Sequence, residues 1–226
     1  MIPPTPLLLA WSGGKDAAWA LHVLRQRDDV QVVGLLSTIT RETARASMQH
    51  VRREVLQAQA RAAGLPLLEA VIPAICSNDD YARVMRDALA RAASRWPDLR
   101  TMAFGDLLLE DIRVWREQQL AEAGWSLCTP LFGSDTAALA REMMRDGLQA
   151  RLCCVDTQQL SAEFVGRDYD PALLDALPAD VDPCGEHGEF HTCVHAGPMF
   201  DAPLELTIGG TTLHDGRFAC TDFGVC

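Results

Sequence analysis

Two short polar segments at opposite ends of the chain hold the residue types that can do chemistry. The first is Ser12-Gly13-Gly14-Lys15-Asp16-Ala17, which follows an apolar stretch at 7–10 and opens a helical pattern reaching about residue 27. A strand that turns through paired glycines into a helix leaves backbone N–H groups aimed at one point. The helix dipole favours negative charge there, so phosphate is the natural guest. Gly13 and Gly14 permit close backbone approach and positive φ. Ser12 adds a hydroxyl, Lys15 a cation and Asp16 a carboxylate for a magnesium ion carried by a nucleotide. Ala10 closes the apolar stretch and is placed at the nucleotide with them. The second segment packs Glu186, Glu189, His191 and Thr192 into seven residues. Gly188, with Gly185 just before the segment, is expected to keep it a loop in which side chains converge.

The glycine turn is not the P-loop of kinases and GTPases, because no glycine stands five residues upstream and Ala17 lacks a hydroxyl. The dinucleotide fingerprint G-x-G-x-x-G is also absent. The run resembles the S-G-G-x-D-[ST] loop of the ATP pyrophosphatase superfamily, which includes GMP synthetase and argininosuccinate synthetase. The segment Asp182-Pro183-Cys184-Gly185-Glu186-His187-Gly188-Glu189-Phe190-His191-Thr192 is similar to the G-E-N-G-E-F-H-T signature of the diphthine–ammonia ligase family. Gly105-Asp106-Leu107, Glu110-Asp111-Ile112-Arg113, Arg116-Glu117, Ser47-Met48 and Val51-Arg52-Arg53-Glu54 fit the same family, so the resemblance runs from about residue 7 to 200. The chain departs from the pattern at Ala17, at His187 where Asn is usual, and at Gln49-His50 where His-Gly is usual.

The resemblance implies an ATP-dependent, AMP-forming amide ligase. A substrate carboxylate is adenylated, pyrophosphate leaves into the loop at 12–16, and ammonia displaces AMP. Such a reaction needs donors for the acyl oxygen and a base. Glu189 or His191 fits the base, and Glu186 a site for ammonium or a substrate cation. Lys15 and Asp16 complete the catalytic set, and Arg113 and Thr192 are placed with the substrate. Ser37 and Thr38 are placed by resemblance at the adenine. Gly105 and Asp106 are placed beside the loop, with Asp106 a second magnesium or ribose ligand after Asp16, or else a helix N-cap. Glu110, Arg113 and Arg116 bind a carboxylate or phosphate, or form ordinary helix-surface ion pairs. The implied cofactors are ATP and Mg2+, and the implied partners a small or protein-borne carboxylate and ammonium. A homodimer is left open. The family's characterised acceptor is diphthine on elongation factor 2; the Ala- and Arg-rich composition suggests a GC-rich bacterial genome and hence another carboxylate. No glutaminase nucleophile stands at the N-terminus. Three rivals remain: a nucleotide-binding protein without ligase chemistry, a thiolase using Cys76 or Cys128, and a zinc site from Cys184, His187, His191 and Cys193.

Composition narrows the classes. In 226 residues, 48% are hydrophobic and the net charge is −11, which disfavours nucleic-acid binding through a broad basic face. The local cluster Arg41, Arg45, Arg52 and Arg53 reads as a solvated helix face. No segment approaches the ~20 apolar residues that span a bilayer. Eight cysteines form no C-x-x-C pair, and no signal peptide is visible, so reduced thiols in a cytoplasmic protein are expected.

To position the two polar segments, apolar runs must alternate with helical patterns. Strands are expected at 7–11, 30–37, 67–72, 101–105, 126–129 and 150–156. Val51, Val55, Ala58 and Ala62 mark one helical stripe, Ser77 caps another helix with Asp80, and Asp135 caps a third. Alternation predicts an α/β, doubly wound parallel sheet, of the adenine nucleotide alpha hydrolase (HUP) type by resemblance, with strand order 3-2-1-4-5. A nucleotide-binding domain at 1–132 is followed by a smaller C-terminal α+β substrate-binding region at 133–226. A terminal hairpin is expected to turn at Gly209-Gly210.

Overall fold

The computed structural model describes residues 3–47 and 49–225; Met48 of the Ser47-Met48 pair and Cys226 lie outside them. Strand β1 (Thr5–Ala10) is followed by helix α1 (Lys15–Arg25), β2 (Val30–Thr40), a two-residue β3 (Arg45–Ala46) and α2 (Arg53–Ala62). Then come β4 (Leu67–Ile72), α3 (Asn78–Arg95), β5 (Thr101–Ala103), α4 (Glu110–Glu122) and β6 (Ser126–Cys128). The parallel strands lie in the order β4-β2-β1-β5-β6, which is the expected 3-2-1-4-5. Leu7, Leu8 and Leu9 are all buried, so both faces of β1 are covered, as the central strand of a parallel sheet requires. Leu7 and Leu9 join α1 and α2 in one core, whereas Leu8 packs with Ala88 and Leu89 of α3 and Leu120 of α4 in another.

The C-terminal part comprises α5 (Thr136–Arg145), β7 (Gln149–Asp156), α6 (Pro171–Ala176), β8 (Phe190–Ala196), β9 (Leu206–His214) and β10 (Phe218–Val225). Its strands form an antiparallel sheet in the order β8-β7-β10-β9. Val155 and Val194 share the core of Leu7 and Trp19, so the second sheet packs onto the α1–α2 side of the first. Both expected caps form: Ser77 Oγ accepts from the Asp80 amide at 3.1 Å and Asp135 Oδ1 from the Ala138 amide at 2.8 Å.

Four local expectations change. Gly209-Gly210 does not turn; it forms a bulge within β9, its two residues opposing the single Asp222 of β10. The chain reverses instead at Asp215-Gly216, where both residues have positive φ (51° and 64°) and the Arg217 amide returns to the His214 carbonyl at 2.9 Å. A tight hairpin turn needs positive φ at both central residues, and Asp-Gly supplies it. The second polar segment is loop only as far as Glu189, because His191 and Thr192 lie on β8, whose outward and inward residues are set by pairing with β7. The α2 stripe is Val55, Leu56, Gln59 and Ala60, leaving Ala58 and Ala62 half-buried. The arginine cluster is not simply solvated: Arg45 and Arg52 both pair with Asp222 of β10, and Arg53 with Glu69.

Candidate active site

A cleft of about 680 Å³ opens at the carboxyl ends of the parallel strands, where ligands bind in doubly wound sheets. Its walls include Ala10, Ser12, Gly14, Lys15 and Asp16 from the β1–α1 turn, Thr38 from β2, and Gly105 and Asp106 after β5. Glu186, His187, His191 and Thr192 close the opposite side. The two polar segments, about 170 residues apart in sequence, therefore share one cavity. No helix among the described residues is long and apolar enough to cross a membrane.

The turn is held from three directions. Gly13 has φ 81°, and a side chain there would run into Leu56 and Gln59. Its carbonyl accepts from the Val194 amide and from Gln59 Nε2, both at 3.0 Å. Gln59 is completely buried; its Oε1 accepts from the Trp11 indole at 3.0 Å and its amide also donates to the Val194 carbonyl at 2.7 Å. Ser37 donates its hydroxyl to the Trp11 carbonyl at 2.5 Å. Gly13 and Ser37 do not line the cleft; both brace the turn. Gln59 was not anticipated. Its only sequence signal is a polar residue falling among the apolar positions of α2.

At the start of α1, the Lys15 amide donates to Thr192 Oγ1 at 3.0 Å, and the Gly14 amide leans on Ser12 Oγ at 3.3 Å. Among the described residues, the Asp16 and Ala17 amides find no protein acceptor. Two donors thus remain at a positive helix end. Thr192 thus caps α1 from the cleft wall. Lys15 is 2% exposed; its Nζ donates to both Asp16 oxygens at 2.9 and 2.8 Å and to the Cys184 carbonyl. Burial alone would lower its pKa, but Asp16, Cys184 and Glu186 raise it, so it stays charged. Its charge is directed at the C-terminal loop, and its removal carries a structural cost as well as any effect on phosphate.

Gly105 brings β5 against the turn. A Cβ there would lie 2.7 Å from the Asp16 carbonyl, so only glycine fits. Asp106 follows it at the cleft. Burial raises its pKa, Arg116 opposes the rise, and the Asp16 charge adds to it. Arg116 Nε is 2.9 Å from Asp106 Oδ2, yet neither atom makes a geometrically sound hydrogen bond. The separation counts as an ion pair; the misaligned N–H leaves Oδ2 free to accept. Arg116 also stacks on Phe104 at 4.0 Å and lines the cleft. Arg113, expected at the substrate, instead lies over Phe132 at 4.7 Å and beside Glu110 at 3.5 Å, away from the cleft. One helical turn separates the two arginines, and the face that α4 presents decides between them.

The C-terminal loop assigns its carboxylates differently from expectation. Glu189 is 2% exposed and does not line the cleft. Its Oε1 accepts from the Asp182 amide and its Oε2 from the His187 amide, both at 2.9 Å, so it braces the loop and is not placed to act as a base. Glu186 reaches across to the β5–α4 loop, where its Oε1 accepts from the Leu107 and Leu108 amides at 3.1 Å. Among the described residues no donor reaches its Oε2. Burial raises the Glu186 pKa, and Asp16 adds to the rise. Burial, with the Lys15 charge, holds the half-buried His191 imidazole down at about 4, so it is neutral at pH 7. Cys76 and Cys128 do not line the cleft; Cys184 does, but burial pushes its thiol up to about 12, which leaves no thiolate at neutral pH. Among the described residues, Cys184, His187, His191 and Cys193 do not converge as metal ligands.

The sequence model for the diphthamide synthase N-terminal domain matches residues 7–126, and that for the diphthamide synthase C-terminal domain matches 135–219. Diphthine–ammonia ligase from Schizosaccharomyces pombe (strain 972 / ATCC 24843) is 26% identical to the chain, with 92% of this chain but 37% of that protein aligned. The chain thus spans well under half the length of that relative. The N-terminal match covers more than half of the residues, and the cleft it shapes is completed by residues of the C-terminal match: the chain belongs to the diphthamide synthase family.

Proposed function

We propose that the protein is an ATP-dependent, AMP-forming amide ligase that adenylates a carboxylate and aminates it with ammonia. One observation carries this reading: Asp16 and Ala17, whose amides have no protein acceptor among the described residues, line the same cleft as Asp106 and as Glu186, whose Oε2 has no donor. The amides suit the departing pyrophosphate, where negative charge grows as the α-phosphorus bond breaks. Asp16 and Asp106 fit Mg2+, since both offer hard oxygen donors and Asp106 Oδ2 has no hydrogen bond. When bound there, the metal would supply charge neutralisation to the phosphates. The carboxylate oxygen attacks the α-phosphorus and pyrophosphate leaves. The ammonia nitrogen then forms its bond to the acyl carbon, and AMP departs with the C–O electron pair. Glu186, not Glu189, is positioned to receive the proton that nitrogen must lose. His191 is a neutral hydrogen-bonding group for the acyl or phosphate oxygens. Thr38 and Ala10 line the end of the cleft that the adenine would take.

Ala17 lines the cleft without a hydroxyl, which favours a second reading, a nucleotide-binding protein without ligase chemistry. Pyrophosphate release with a panel of carboxylic acids, with and without ammonium, separates the two. Turnover that needs both acid and ammonium, and that Glu186→Gln abolishes while ATP still binds, supports the ligase. ATP binding with no release across the panel supports the second reading.

A further inference from the structure

Away from the cleft, three metal-ligating side chains meet from three separate elements. His50 precedes α2, His214 ends β9 and Cys220 lies on β10. One ligand atom from each lies within 4.8 Å of the other two, and among the described residues no other histidine, cysteine or carboxylate group of three does so. The two imidazoles stack with centroids 4.9 Å apart. Cys154 faces Cys220 across the β7–β10 pair, with sulfurs 2.9 Å apart.

The His50 backbone is held at both ends. Its amide donates to the Ala46 carbonyl at 3.2 Å, and its carbonyl accepts from Arg45 at 2.9 Å. It keeps φ at 57°, a left-handed conformation that costs a non-glycine residue energy and that surrounding structure must enforce. The His214 ring is oriented by Thr212, whose hydroxyl lies 2.9 Å from Nε2. Such an outer partner is usual for a metal-bound imidazole.

We propose that His50, His214 and Cys220 form a binding site for a borderline transition-metal cation, with zinc the natural occupant and Cys154 the nearest fourth donor. Two imidazoles and a thiolate are the ligand types zinc prefers, and bonds of roughly 2.0–2.3 Å hold such donors within ~4 Å of one another. The ion would tie the β9–β10 turn to the segment before α2, where Gln49 lines the cleft. Its role is to fasten the cleft rim to the second sheet, independently of the ligase reading.

Cobalt titration of chelator-treated protein under a non-thiol reductant tests this directly. The expected result is one Co2+ per chain, with a thiolate-to-cobalt charge-transfer band and d–d bands of tetrahedral intensity, both displaced by zinc. Cys220→Ser weakens the charge-transfer band and Cys154→Ser with Cys220→Ser removes it, and His214→Ala weakens cobalt binding by more than about tenfold. His214 is exposed, so its replacement leaves the fold intact even if Cys220→Ser does not. Absence of any band in the parent protein, or an unchanged titration in His214→Ala, overturns the assignment.

Discussion

Asp106 shows how a single carboxyl can weaken the fold while serving the site. Burial and the Asp16 charge raise its pKa, so its ionised form is disfavoured in the folded protein and detracts from stability at neutral pH. Asp106→Asn should therefore hold or raise the thermal midpoint without magnesium, yet weaken Mg-ATP binding by about tenfold or more, read by calorimetry. Glu189 is the opposite case. Both its oxygens accept backbone amides, so Glu189→Gln turns an NH2 group towards an N–H and should lower unfolding free energy by ~1–3 kcal/mol in denaturant titration. His191 gives a pH test. Its folded pKa of about 4 lies below the free value of 6.5, so the unfolded chain binds more protons between them. Its contribution is complete above about pH 6.5 and is lost as pH falls towards 4. Anionic nucleotide in the cleft should raise that pKa, which histidine NMR titration would read. Residue types were legible where they stood contiguous, as in Ser12 to Asp16. Glu186 and Glu189 were not distinguishable, since both sit beside glycine and only the fold decides which one faces the cavity.

At the level of elements, the site depends on close approach between backbones. Gly105 has ordinary φ but no room: its Cβ would meet the Asp16 carbonyl at 2.7 Å. Gly105→Ala should push β5 from the turn, costing ~1–3 kcal/mol of stability and nucleotide affinity with it. Stability comes from chemical denaturation and affinity from calorimetry; loss of neither would show that β5 does not need that contact. The strands of the parallel sheet were legible because each is a short apolar run bounded by turn residues. Strand β8 was not, since His191 and Thr192 read as polar loop until β7 pairs with them. The hairpin was displaced for a similar reason: Gly209-Gly210 is a turn signal by composition, but the two glycines form a bulge within β9 opposite Asp222, and Asp215-Gly216 makes the reversal. Gln59 was invisible because a buried amide is defined by its partners, the Trp11 indole and two carbonyls, which lie far from it in sequence.

Across the whole molecule, the two sheets are joined by the same contacts that build the cleft. Lys15 reaches the Cys184 carbonyl, Thr192 caps α1, Glu186 docks on Leu107 and Leu108, and Arg45 and Arg52 clasp Asp222. Arg52 and Arg45 hold the Asp222 carboxyl down at about 2, so this clasp stabilises the fold above the unfolded carboxylate range and is lost as pH falls from about 4 towards 2. Placement of the cleft was legible from alternation and the glycine turn, and the order of strands from the family resemblance; the joining of the two sheets was not, because its partners are long-range pairs without a local pattern. The central claim is that the first turn of α1 is an anion cradle for the polyphosphate of a nucleotide. Amide NMR during titration with Mg-pyrophosphate tests it most directly. The account predicts saturable shifts that are largest at the Asp16 and Ala17 amides; saturation with those two amides unmoved, or no saturable binding at all, would contradict it.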